Sequence, residues 1–244
     1  MFTLAHFIWL LCIGLLIAAA MMLTSRLHVS HAAVQKAVFY LLVPLKLFHL
    51  ALSMKESEFG GLVIDQTQLS FHLCSIMVWS VIIINVVKNE KFIKTVKSFM
   101  VPAMLIGAAM ALLIPTEGVS PSVPRVWQYM LIHGVLVFYG LYLMAVEKVD
   151  LSLRTYFTNL KILIGITAVA FIMNSVLAQY ETNFLFLRYP PMDGLPILNL
   201  NHGWYVYFIT LVAIACLLIL AVQLPFIIKG LRSKSETEKA AKAA

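Results

Sequence analysis

The chain has 244 residues, 61% hydrophobic and only 12% charged, with a formal net charge of +7. Soluble domains run about 45–50% apolar and about 25% charged, so a water-soluble fold is excluded and an all-α, polytopic membrane bundle is predicted. The apolar runs are continuous and approach the roughly 20 residues a spanning helix needs; a β-barrel would alternate instead.

Seven spans are predicted in chain order, at about 2–23, 34–54, 68–87, 98–115, 126–146, 157–178 and 204–228. They form one helical unit over about residues 1–230, followed by a polar tail at 231–244 that reads as a frayed helix or a disordered segment. The first run, MFTLAHFIWLLCIGLLIAAAMML, has neither a basic leader nor a small-residue cleavage signal, so it reads as a retained span. Basic residues mark alternate links. Arg26 and Lys36, then Lys88 to Lys97, then Lys148, Arg154 and Lys161, then the tail from Lys229 fall on one side, against Lys55, Arg125 and Arg188 on the other. The excess of Lys and Arg on cytoplasmic loops then predicts an outside N-terminus and a cytoplasmic C-terminus. On this reading the positive charge faces anionic lipid, and no nucleic-acid partner is implied.

Span 2 carries Lys46, His49 and Ser53 at spacings of three and four, hence on one helix face. Span 3 opens with SFHLCSIMVW, bringing His72 and Cys74; the thiol lies about 9 Å in at the helical rise of 1.5 Å per residue. Span 5 opens with PRVWQYMLIHG, placing Gln128, Tyr129 and His133 near the same level. Span 6 has Asn174 about one turn from its end, and the long link that follows carries Asn183 and leads to Trp204. Ionisable groups in spans face the bundle interior or a watery cavity, so an outward-facing polar pocket is expected. His72 and Cys74, two apart, lie on different helical faces. A base for the thiol must therefore come from another element, and His133 has the right chemistry and depth. Tyr129 shares its face, and Gly134 admits a close neighbour. Each of these residues also has a structural reading: Cys74 as a small buried hydrophobe, His133 as an interhelical hydrogen-bonding group, His49 and His72 as interfacial side chains. Cys12 and Cys216 read as inert. No zinc spacing is present, and neither metal nor cofactor is expected.

Three stretches, FHLCSIMVW, PRVWQYMLIHGVLVFYGLYL and FIMNSVLAQYETNFLFLRYPP with the later HGWYVYFITLVAI, resemble the YwaF-like bacterial integral membrane proteins in order and spacing over about residues 68–228. That resemblance implies a bacterial cytoplasmic membrane protein related to transmembrane acyltransferases acting on phospholipids. A more distant relation is to the androgen-induced and androgen-dependent TFPI-regulating membrane hydrolases. It matches Cys74 to a nucleophile, His133 to a base, and Asn174 and Asn183 to recurring positions without a role. It departs at span 2, where an acidic residue is expected and Lys46 stands. The resulting expectation is an intramembrane acyltransferase or lipid ester hydrolase with membrane lipids as partners. The alternative is a small-molecule transporter or receptor that uses the same pocket without chemistry.

Overall fold

The computed structural model describes residues 3–56, 60–192 and 195–243. Seven α-helices follow in order: α1 (Leu4–Arg26), α2 (His31–Leu52), α3 (Leu73–Val86), α4 (Glu90–Leu113), α5 (Pro124–Tyr142), α6 (Leu153–Val176) and α7 (Trp204–Ala243). Their starts follow from local chemistry. The side chains of Thr3, Ser30 and Asn89 accept the amides of His6, Ala33 and Phe92, satisfying donors that a helix end leaves open. Pro124 opens α5, where a missing amide costs nothing. A π-helical turn, Leu143–Glu147, continues α5 until Lys148 ends it in the left-handed conformation, with φ 56°.

Among the described residues six helices are long and apolar enough to cross a membrane; α3, with 14 residues, is the shorter exception. At the helical rise it is about 21 Å long, against the span expected at 68–87. The reason lies just upstream. Asp65 accepts from both the amide and the hydroxyl of Thr67 and folds Gln66–Gln68 into a 3-10 turn. The helix then starts only after His72, its N-cap. Three further bounds differ from expectation. The fourth helix begins at Glu90 rather than near 98 because Asn89 caps it, which brings Lys97 into a helix instead of a link. The last helix runs on through the tail to Ala243, a stretch rich in the good helix formers Ala, Lys and Glu. Between α2 and α3 a small antiparallel hairpin, β1 (Met54–Glu56) with β2 (Leu62–Ile64), adds a sheet element that an all-α reading lacks.

Side-chain bonds tie the two ends of the bundle together. At the hairpin end His6 of α1 bonds the Leu112 carbonyl at 2.8 Å, and Trp9 donates to the Val119 carbonyl at 3.1 Å. At the opposite, basic end His31 meets the Tyr142 hydroxyl at 2.7 Å, Lys97 pairs with Glu147 at 2.7 Å, and Asn159 donates to the Ser98 carbonyl at 3.2 Å. The central helix, α4, buries most of its length, and α5 packs closely on it. Gly140 makes this approach possible, since a Cβ there would meet the Met104 Cβ at 3.1 Å. The core around them includes Leu42, Val81, Met100, Met104 and Leu136. On the outside, Leu11, Leu15, Ile164, Ile209 and Leu217 are exposed. An apolar surface this broad belongs against lipid tails.

Candidate functional site

Three helices, α2, α3 and α5, converge at the hairpin end on the polar residues singled out in the sequence. Lys46 is only 3% exposed and donates from Nζ to the Ser75 hydroxyl at 3.2 Å. Among the described residues it makes no ion pair. His49, one turn further along α2, lies against the backbone of Gln68 and the side chain of Gln128, with Lys46 and Arg125 in Coulombic range. The same histidine is an electrostatic neighbour of both His72 and His133. Arg125 closes the cluster from above: its guanidinium donates to the Leu52 carbonyl and lies 3.8 Å from Glu117. The group is thus a set of cationic and imidazole side chains sharing one carboxylate at its edge.

His133 is buried, and its Nδ1 lies 2.6 Å from the Tyr129 carbonyl one turn back. A carbonyl only accepts, so the ring proton sits on Nδ1 and Nε2 carries the lone pair. The Tyr129 ring lies over the imidazole with centroids 4.2 Å apart, and its hydroxyl donates to the Ala111 carbonyl at 3.0 Å. Cys74 occupies the second position of α3. Its sulfur faces α4 where Gly107 leaves room, since a Cβ on that glycine would stand 3.5 Å from Sγ. Cys74 is also among the groups in Coulombic range of the Tyr129 hydroxyl. Tyr129 thus stacks on the imidazole and has the thiol among its longer-range electrostatic neighbours. Among the described residues no hydrogen bond joins thiol and imidazole.

The cluster is covered rather than open. Lys46, Gln128 and His133 are all buried, the Gln68 backbone lies against His49, and Arg125 bridges to the Leu52 carbonyl. An open groove of ≈ 410 Å³ lies next to it instead, between the start of α3 and α6, lined by Ser70, Phe71, Ile76, Gly165 and Val169 among others.

His72 sits outside the helix at its N-cap, so the helical-face argument does not apply to it; its ring packs on Phe184 and Phe186 at centroid distances of 5.6 and 5.4 Å. Three expected pocket residues hold that same loop together. Asn174 clasps Phe184 from both sides, donating to its carbonyl at 3.0 Å and accepting its amide at 2.8 Å. Asn183 accepts the Arg188 amide and donates to the Tyr189 carbonyl. Trp204 donates to the Leu187 carbonyl at 2.8 Å and stacks on Phe208. Sequence reasoning missed Ser75, Gln68 and Arg125. Only Ser75 carried a usable signal, a hydroxyl beside Cys74 within an apolar run. No group of three or more metal-ligating side chains occurs among the described residues.

Fold and site together define a multi-pass helical membrane protein with a buried cationic cluster in one half of the bundle. A family model described as the TMEM164 family matches residues 1–222, and the chain belongs to that family. The match reaches beyond the stretch that carried the motifs and gives no support to the YwaF-like grouping. No curated protein and no solved structure matches the chain significantly.

Proposed function

We propose that this chain is an enzyme of lipid acyl chemistry, an acyltransferase or ester hydrolase with Cys74 as nucleophile and His133 as base. The observation that carries the reading is the fixed tautomer of His133. Its Nδ1 proton is held by the Tyr129 carbonyl, leaving Nε2 as a proton acceptor on the helix whose Tyr129 also lies within range of Cys74. In the reaction Nε2 takes the thiol proton, and the thiolate attacks an ester carbonyl, forming a C–S bond as the π pair moves to oxygen. The tetrahedral oxyanion collapses, and the departing alkoxide takes the proton from His133. The resulting thioester passes its acyl group to an alcohol or to water by the reverse sequence. By the distribution of Lys and Arg, the hairpin end faces the exterior of the membrane. The lipid ester then comes from the outer leaflet, and the groove beside α3 suits an acyl chain. A thiol-reactive lipid probe tests the reading by labelling in membranes. Labelling is expected to disappear in Cys74→Ser and to fall at least about tenfold in His133→Ala. Equal labelling of all three proteins would remove the proposal.

A second reading, binding or transport without chemistry, draws on the buried Lys46, whose charge suits an anionic solute. Uptake into proteoliposomes that needs Lys46 but not Cys74 would select it.

A further inference from the structure

The mechanism above needs a donor for the tetrahedral oxyanion. The two asparagines expected to be candidates are occupied: Asn174 holds Phe184, and Asn183 holds Arg188 and Tyr189. One hydroxyl in the cluster is arranged differently from several other helix hydroxyls. Thr24, Ser80, Ser98 and Ser175 each donate to the carbonyl four residues earlier. For Ser75 that carbonyl belongs to Phe71, which lies before the helix begins. Ser75 instead accepts from Lys46 Nζ at 3.2 Å. A hydroxyl whose oxygen accepts from an ammonium is a better donor, because the charge polarises its O–H bond. Lys46 itself is a nearly fully buried cation with no carboxylate at ion-pair distance among the described residues. An ammonium in that setting calls for a negative partner. The neighbouring residue, Cys74, is where negative charge develops. Adjacent side chains on a helix diverge by about 100°, so the reacting carbonyl would lie between the sulfur on the α4 side and the hydroxyl on the α2 side. That place is in the first turn of α3, whose free amides favour negative charge.

We propose that Ser75 is the oxyanion donor of this site and Lys46 the positioning residue that holds and polarises it. The assignment rests on Cys74 being the nucleophile. As the thiolate adds to the carbonyl, the new oxyanion accepts from the Ser75 hydroxyl, which keeps its proton throughout. On collapse the electron pair returns to the C=O bond, and Ser75 and Lys46 are unchanged. The charged and titratable groups facing this turn are Lys46 and His49 from α2, His72 at the start of α3, and Arg125, Tyr129 and His133 from α5, with Glu117 beyond Arg125. The facing part of α4, from Val101 to Leu113, contains no titratable residue.

The test uses the full chain in detergent micelles with Cys12 and Cys216 replaced by Ser. Two quantities are measured: the p-nitrophenolate burst from p-nitrophenyl octanoate, and the pH dependence of Cys74 alkylation by iodoacetamide. Ser75→Ala is expected to slow the burst about a hundredfold, the effect of one lost oxyanion donor, with KM little changed. Lys46→Met should slow the burst about tenfold and raise the alkylation midpoint by about one pH unit, since a lost cation disfavours thiolate. Lys46→Arg should restore both. A wild-type burst rate in Ser75→Ala overturns the assignment. Because that change also takes the partner of the buried Lys46 ammonium, folding is checked by gel filtration. Ser75→Thr, which keeps the hydroxyl, should keep the burst, and its loss there also overturns the assignment. If the wild-type chain itself gives no burst, the acyl-transfer reading falls. The alkylation profile then stands alone: a raised midpoint in Lys46→Met upholds the Lys46 charge acting on this turn, and superimposed profiles overturn it.

Discussion

Replacing Asn174 by Leu should release the loop that packs on His72. The side chain makes two bonds to the backbone of Phe184, at 3.0 and 2.8 Å, and both residues are buried. Losing the bond to the carbonyl costs about 1 kcal/mol, since that oxygen still accepts the Leu187 amide at 3.4 Å, whereas the Phe184 N–H is left buried without a partner, at about 1–3 kcal/mol. A local loss of about 3 kcal/mol follows, which corresponds to roughly a hundredfold increase in opening. The measurement is amide exchange at Phe184, Leu185 and Phe186 by mass spectrometry on the purified protein. Asn174→Asp gives an internal comparison: its carboxylate still accepts from the Phe184 amide but has no donor for the carbonyl, so exchange should rise by an intermediate factor. Unchanged protection in Asn174→Leu, or full protection in Asn174→Asp, would refute the clasp as the origin of the loop's order.

Three further outcomes are expected. Neutralising either member of the Lys97–Glu147 pair, whose side chains are 10% and 17% exposed, should lower stability by about 3 kcal/mol. Lys97→Met with Glu147→Leu should cost about 1 kcal/mol, giving a coupling of several kcal/mol in a double-mutant cycle read by denaturant unfolding. Gly140→Val should cost about 1–3 kcal/mol, because its Cβ meets Met104 at 3.1 Å. Gly165→Ala, with nothing within 4 Å of the new Cβ, should be neutral or gain up to about 1 kcal/mol of helix propensity, and thermal midpoints in detergent compare the two. Finally, partial burial works against charging Asp65, but the hydroxyl and amide of Thr67 and the Lys55 ammonium outweigh it and hold its carboxyl below the ordinary value of 3.8. A depressed folded value means that its contribution is complete above pH 3.8 and is lost as pH falls through the lower folded value. Exchange of the Thr67 amide should therefore accelerate, relative to the unfolded chain, only below about pH 4, and Asp65→Asn should abolish that step.

The parts of this molecule legible in the sequence are those that depend on periodicity and on residue type at a given depth. Seven helices were countable from apolar run lengths. Lys46, His49, Gln128 and His133 fall in one half of the bundle because adjacent helices run in opposite directions, so distance from a link fixes their level. The start of α3 was hidden because LSFHL is as apolar as a helix would be. The Asp65–Thr67 cap that delays it was visible in DQTQ but was outweighed by hydropathy. In the same way, Asn89 before Glu90 is a cap that an apolar window passes over, which is why Lys97 was misplaced. Tertiary partners were beyond reach: nothing in the neighbourhood of Asn174 distinguishes a residue that clasps a loop ten positions later from one that lines a cavity. The Lys46–Ser75 contact likewise joins two helices whose relative rotation no local pattern encodes.

The brevity of α3 has a consequence for the surrounding bilayer. At about 21 Å it falls some 9 Å short of a typical hydrocarbon slab of about 30 Å. Where its outer flank, including the exposed Trp79 and Ile83, meets acyl chains, the leaflet must dimple or water must seep in, at fractions of a kcal/mol per Å. Glycerol backbones beside this helix would therefore ride lower than elsewhere. On the acyl-transfer proposal, a substrate would arrive already partly sunk, without being hauled out of its neighbours.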